Sequence, residues 1–427
     1  MTLPQIYIDP PRKYWPTLAE RCVAEDTAVT DVVNQIISQV AQEGDTALRK
    51  LCKALDGFEP DHLEVSPLVI DHAEREISKE LKSAIDLAMR NIRAFHAAQM
   101  PAQVEVETTP GVRCLQRPVP IQRVGLYIPG GRAPLFSTVL MLAIPAKLAG
   151  CKQIVLCTPT NREGVIAPEI LYCAHKCGID AIYAVGGAQA IAAMALGTES
   201  IPKVDKIFGP GNRYVTRAKE ILSSRVAIDM PAGPSEVMVL ADDTANPAFV
   251  AADFLSQCEH GPDSQALLVC KSQEYANRVI DEIKKQVPNL SRKAIVEKSL
   301  EISRIIVLRE RREMVEFANV YAPEHLIISV SDPWQLAEKI TAAGSVFIGH
   351  YSPESAGDYA SGTNHTLPTS GWATAYSGVN IDSFMRKITF QELTPDGLDL
   401  LSSAIITMAM AEGLDGHANA VKIRQNK

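Results

Sequence analysis

Apolar residues recur at helical spacing through residues 17–100. Over 29–40 and 81–100 they fall on one face, which predicts two amphipathic helices. A break at 57–65 contains Pro60. From about Val124 the pattern changes to short apolar runs that alternate with longer helical ones. Residues 124–128 predict a strand ending at Pro129-Gly130-Gly131. Residues 135–148 predict a helix, kinked at Pro145. Strands at 153–157 and 181–185 alternate with helices at Pro168–Lys176 and 188–196, and strand Lys206–Phe208 meets Gly209-Pro210-Gly211-Asn212. The rhythm returns with strands at 237–240, 266–270, 304–308, 326–330 and Ser345–Ile348. A tail from about Val379 holds one long helix, 398–412, stopped by Gly413. This alternation predicts α/β architecture: two Rossmann-like units with parallel-rich sheets, plus small helical extensions at the two ends.

The length of 427 residues suits two or three domains. Hydrophobic residues make up 46% and leave ample material for a large core. A formal net charge of −8 argues against a nucleic-acid binder. No apolar leader opens the chain, and the longest apolar stretch, 136–144, is too short to cross a membrane. Nine cysteines scattered singly read as reduced thiols, so the expected compartment is the cytoplasm.

Three glycine-rich turns follow predicted strands: Pro129-Gly130-Gly131, Gly186-Gly187 and Gly209-Pro210-Gly211. None is the G-x-G-x-x-G fingerprint, and each alone reads as an ordinary strand-to-helix turn. Their clustering at strand C-terminal ends points to a ligand crevice. Among the nine histidines, Cys173-Ala-His-Lys-Cys177 looks metal-like but lies on a helix that turns His175 away from the thiols. Gln257 and His260 sit three apart at a helix end before Gly261-Pro262. They form an N/O donor pair suited to a borderline cation, although a helix-end histidine also caps carbonyls. Residues 352–365 are poor core material and read as a site loop, with Asp358 a hard oxygen donor; Glu354 there equally reads as the acid of a helix start. Glu324-His325 offers two proton acceptors, which can share a site only if the chain bends at Pro323. Cys258 lies between Gln257 and Glu259 and is a weak candidate nucleophile, pointing away from both.

Eight strings carry a resemblance. They are VGLYIPGG at 124–131, VGGAQ at 185–189, FGPGN at 208–212, IDMPAGPSE at 228–236, SQCEHGPD at 256–263, PEHL at 323–326, SPESAGDYASGTNH at 352–365 and GHANA at 416–420. In this order, along nearly the whole chain, they resemble the histidinol dehydrogenase family. The resemblance implies an NAD-dependent, zinc-requiring oxidation of L-histidinol to L-histidine, the last steps of histidine biosynthesis, with one Zn2+ per site and two NAD+ consumed. It implies Gln257, His260, Asp358 and His417 as zinc ligands, and Glu324 and His325 as the proton-transfer pair, His325 as base and Glu324 activating water. It implies Tyr127, Gln189 and Asn212 as NAD contacts. Ser235, His365 and Glu412 join His325 and the four zinc ligands as substrate contacts. It further implies a homodimer with shared active sites, completed by the partner's tail. The expected division is an extension over 1–20, a first domain from 21–123 and 237–378 with the metal and catalytic residues, an NAD-side domain over 124–236, and a crossing tail over 379–427. Cys258 departs from the alanine of some family members, which argues against a required thiol. Two other readings remain at this point: a family member acting on another amino alcohol or polar diol, and a catalytically silent nucleotide- or metal-binding protein.

Overall fold

The structure is a computed structural model that describes residues 2–21, 27–130 and 134–425. Gly131, the last residue of the first glycine turn, lies outside them. Among the described residues, fourteen strands form three sheets. In chain order they are β1 (Gln5–Ile8), β2 (Val104–Thr109), β3 (Val112–Pro120), β4 (Arg123–Tyr127), β5 (Gln153–Thr158), β6 (Ala181–Ala184), β7 (Lys206–Phe208), β8 (Ala227–Ile228), β9 (Glu236–Ala241), β10 (Gln265–Cys270), β11 (Arg304–Val307), β12 (His325–Ser329), β13 (Ser345–Ile348) and β14 (Met385–Leu393).

Two sheets are parallel throughout, as the alternating pattern predicts. The first has the order β1-β11-β10-β9-β12-β13 and the second β6-β5-β4-β7-β8. Parallel strands covered on both faces need apolar residues at every position. β9 and β10 are buried at all six positions and apolar at all but their opening residues, Glu236 and Gln265. Phe254, Val279 and Leu300 cover one face of the first sheet, and Trp15, Met314 and Phe317 the other. Helix Phe136–Ala149 is buried on nearly all sides, so it shows no amphipathic stripe.

Two features depart from expectation. The N-terminal extension, expected as helical, opens with a strand: β1 pairs in parallel register with β11, and Trp15 and Leu18 enter the core beneath it. The helices of the early segment pack on the second sheet and not on the first. Val29, Val33, Ile36 and Val40 meet Val155 and Ile191 on one face, while Ile85, Ala88 and Ile92 meet Leu126 and Leu142 on the other. Amphipathic faces bury wherever a sheet face is open, and sequence order does not set that choice.

A third, antiparallel sheet, β14-β3-β2, joins the tail to the body. β14 is almost wholly exposed, and Pro395–Ala411 and Asp415–Gln425 follow it as a helical pair. Leu400, Met408, Met410, Leu414 and Ile423 of this arm face solvent.

In the second sheet the chain runs from β4 outward to β5 and β6, then returns past β4 to β7. The crevice at the C-terminal ends of β4 and β7 is therefore its topological switch point. Gly209 enters it with φ +126°, and a Cβ there would stand 2.1 Å from the Tyr127 carbonyl oxygen. A Gly209→Ala variant is expected to lose about 1–3 kcal/mol or more from backbone strain alone. Thermal unfolding checks this, and an unchanged melting temperature would contradict it.

Candidate active site

The site at the edge of the first sheet is built around Glu236, the opening residue of β9. Its N–H donates to Glu324 Oε2 (2.8 Å), and its carbonyl accepts from His325 Nδ1 (3.1 Å). A carbonyl can only accept, so Nδ1 carries a proton and Nε2 is the nitrogen left to exchange one. Helix Arg311–Tyr321 ends in Ala322 at φ +49°, and Pro323 then turns the chain into β12. That bend brings two sequence neighbours to one place, with Glu324 Oε2 3.5 Å from His325 Nδ1. Both side chains are buried.

Helix Pro247–Cys258 delivers the next donors from its C-terminal end. The fully buried Gln257 amide lies between Glu236 and Glu354. The orientation that satisfies both has its oxygen accepting from the Glu236 N–H (2.8 Å) and its nitrogen donating to Glu354 Oε1. Glu354 and Asp358 sit four apart on helix Glu354–Tyr359 and share a face. His260, Glu354 and Asp358 bring one ligand atom each to within 4.8 Å of one another. His325 Nε2 stands 3.6 Å from Asp358 Oδ1, and Nδ1 stands 3.9 Å from Glu354 Oε1.

These groups shape one another's protonation. Burial pushes Glu324 and Glu354 above the usual carboxylate range, Glu354 well above it. Burial alone would lower His325, yet Glu354, Glu324 and Asp358 hold its imidazole well above the ordinary value. Burial alone would raise Asp358, but His325, His365 and His260 hold it below. Burial also lowers His365. Two polar atoms here, His325 Nε2 and Glu354 Oε2, are buried with no hydrogen-bond partner. Orphaned donors beside a compact N/O cluster fit a divalent cation of borderline hardness.

His365 links this site to the second sheet. Its Nδ1 donates to the Asp358 carbonyl (2.9 Å), and its Nε2 meets Thr138 Oγ1 (3.2 Å) on the helix that follows β4. At the switch-point crevice, the buried Tyr127 hydroxyl accepts from Gly187 N–H (3.1 Å), and burial pushes its pKa up to about 12. Gln189 is buried with Oε1 unpartnered. Asn212 caps helix Arg213–Leu222, its Oδ1 accepting from Tyr214 and Val215 N–H. The Gly209 turn between them is fixed by a buried ion pair of Lys219 and Asp229: Lys219 Nζ donates to its carbonyl and Asp229 accepts from its N–H. Ser235 directly precedes Glu236 and is partly buried.

Thus His260, Asp358, Gln257, Glu324, His325 and His365 come together. His417 and Glu412 do not join them within one chain; both are exposed on the C-terminal arm. Three members of the cluster eluded the motifs: Glu354, read as an ordinary helix-start acid, Glu236 and its partner Arg21. The four-residue spacing of Glu354 and Asp358 was a usable signal for the first.

The family model described as histidinol dehydrogenase matches residues 19–425. The chain belongs to the histidinol dehydrogenase family. It is 56% identical over 416 residues to the histidinol dehydrogenase of Bacteroides fragilis, with 97% of each chain covered. To that of Bacteroides thetaiotaomicron it is 55% identical over 418 residues, covering 98% of each. The crystal structure of histidinol dehydrogenase from Elizabethkingia anophelis superposes with a TM-score of 0.97 at 50% identity, covering 99% of this chain and 98% of that one. Within this family frame, Cys258 is inert: its buried thiol bonds the Phe254 carbonyl, and burial pushes its pKa up to about 12.

Asp253 lies one turn before Gln257, and burial pushes it up to about 7 from 3.8. Its folded-state pKa exceeds the unfolded one, so the folded chain holds the extra proton between those values. That contribution to stability is present at low pH and is lost as pH rises through the folded pKa. Asp253→Asn should therefore lose less melting temperature than the parent between about pH 4 and about pH 8. Parallel pH curves for the two proteins would contradict this.

Proposed function

We propose that this chain oxidises L-histidinol through a bound aldehyde to L-histidine, with two NAD+ and one zinc ion per site. The observation that supports it most is the Glu236 peptide, which holds a carboxylate and an imidazole beside a compact group of N/O donors. Gln257, His260 and Asp358 would hold zinc, with the partner subunit's His417 as fourth ligand. When bound, the ion polarises the substrate oxygen and offsets the carboxylate charge that otherwise retains the His325 proton. Tyr127, Gln189 and Asn212 would hold the dinucleotide in the switch-point crevice, where it would supply the hydride acceptor.

The residues divide the proton work. His325 Nε2 takes the hydroxyl proton as hydride leaves the carbinol carbon. Glu324, raised by burial, takes a proton from the water that adds to the aldehyde carbon. His325 returns its first proton to the carbonyl oxygen as the hydrate forms, and then takes the hydroxyl proton of the hydrate as the second hydride leaves. Ser235, His365 and Glu412 of the substrate set orient the bound molecule, Glu412 from the partner's tail.

The homodimer with shared sites rests on the arm. It carries exposed apolar side chains, and Glu412 and His417 sit on it away from their own site. Exposed apolar patches of this kind mark interaction surfaces. We place the enzyme in the cytoplasm. All the described cysteines are free, and no helix among the described residues is long and apolar enough to cross a membrane.

Glu324→Gln should retain most of the first oxidation in single-turnover assays and slow the second by about 10²–10⁴-fold, leaving aldehyde on the enzyme. Equal losses in both steps would refute that division. Shared sites predict complementation. A His417→Ala subunit and a His325→Asn subunit, each inactive alone, should recover about a quarter of parental activity after random re-pairing. No recovery would mean that each chain completes its own site.

A further inference from the structure

The conformation of the Glu324–His325 pair depends on two anchors: the Glu236 peptide and the turn at Tyr321–Ala322. One side chain reaches both. Arg21 Nε and Nη2 donate to Glu236 Oε1 and Oε2, each at 2.9 Å, a two-pronged guanidinium–carboxylate pair. Its Nη2 also donates to the Tyr321 carbonyl (2.5 Å) and the Ala322 carbonyl (3.4 Å). The guanidinium carbon lies 3.7 Å from the centre of the Tyr321 ring. Ala322 is the non-glycine residue held at φ +49°, so the turn that aims the pair is strained and needs outside support.

The anchor is itself fixed. Glu236 Oε1 accepts a second bond from Ser370 N–H (2.7 Å), and its side chain is almost fully buried. Arg21 follows the segment whose Trp15 and Leu18 sit in the core. Arg304 donates to the Leu18 and Glu20 carbonyls just before it. No atom of Arg21 bonds Glu324 or His325. Its influence reaches them only through the Glu236 peptide and the 321–322 turn.

We infer that Arg21 is a positioning residue for proton transfer: it locks the Glu236 peptide and the 321–322 turn together, so that Glu324 and His325 are presented at a fixed separation. The inference rests on the proposed acid–base roles of that pair. A planar fork on a carboxylate fixes orientation where a single ammonium cannot.

The test is kinetic, on the zinc-loaded enzyme with L-histidinol and NAD+. Arg21→Met should lower kcat by about 10²-fold, the scale of a misplaced catalytic group, with KM little changed. Arg21→Lys, which keeps the charge and loses the fork, should fall between Arg21→Met and the parent. The deciding measurement adds Arg21→Met to Glu324→Gln. If Arg21 acts through the pair, it costs the second oxidation far less in that background than in the parent. Full multiplication of the two losses, or parental kcat in Arg21→Met, would overturn the inference. Should Arg21→Met fail to fold, Arg21→Lys carries the same comparison. Failure of the underlying reading looks different: Glu324→Gln and His325→Asn would themselves keep parental rates.

Discussion

A buried carboxylate and a buried imidazole each need a hydrogen-bond partner, and the backbone of Glu236 supplies one to both. Backbone groups at the start of a central strand move little, because β9 is paired on both sides by β10 and β12. The positions of Glu324 and His325, the proposed proton-transfer pair, are thus inherited from the register of the sheet. The same peptide reaches the Gln257 amide, so the acid–base pair and the donor cluster are registered to one another. Loosening this one peptide would shift both at once.

The two parallel sheets contribute opposite edges. Glu236 and His325 open their strands, so the donor cluster sits at the N-terminal edge of the first sheet. Tyr127 and Gly209 close the crevice at the C-terminal edge of the second, where open α/β sheets bind ligands. His365 spans the two, touching Asp358 on one side and Thr138 on the other. This arrangement suits a reaction that passes hydride from a cation-bound substrate to a dinucleotide on a separate support. In the proposed dimer the arm would add a third source of residues. Its antiparallel link to β3 is long, and Leu400, Met408, Met410, Leu414 and Ile423 on it are exposed.

Much of this was legible in the residues, for identifiable reasons. The strands buried on both faces are continuous apolar runs, and their limits agree with the pattern to within a residue or two. β2 and β14 are exposed along nearly their whole length and β3 is only half-buried, so no buried apolar run marks them, although Val104-Glu105-Val106-Glu107 alternates. β1 was missed because a four-residue edge strand leaves too short a signal. The home of the early helices could not be read, since their stripes fit either sheet. In the site, Gln257 and His260 were visible as a helix-end pair, and Pro323 correctly hinted at the bend that unites Glu324 with His325. Glu236 stayed hidden because its contribution is a peptide group, which any residue type could supply. Arg21 stayed hidden because its partners lie 215 and 300 positions away.

A four-electron, metal-dependent oxidation at a single site is read most directly from the NADH formed per L-histidinol consumed, with and without a chelator. Two NADH per substrate are expected, with activity lost on chelation and restored by zinc. One NADH per substrate, or turnover indifferent to the chelator, would contradict it.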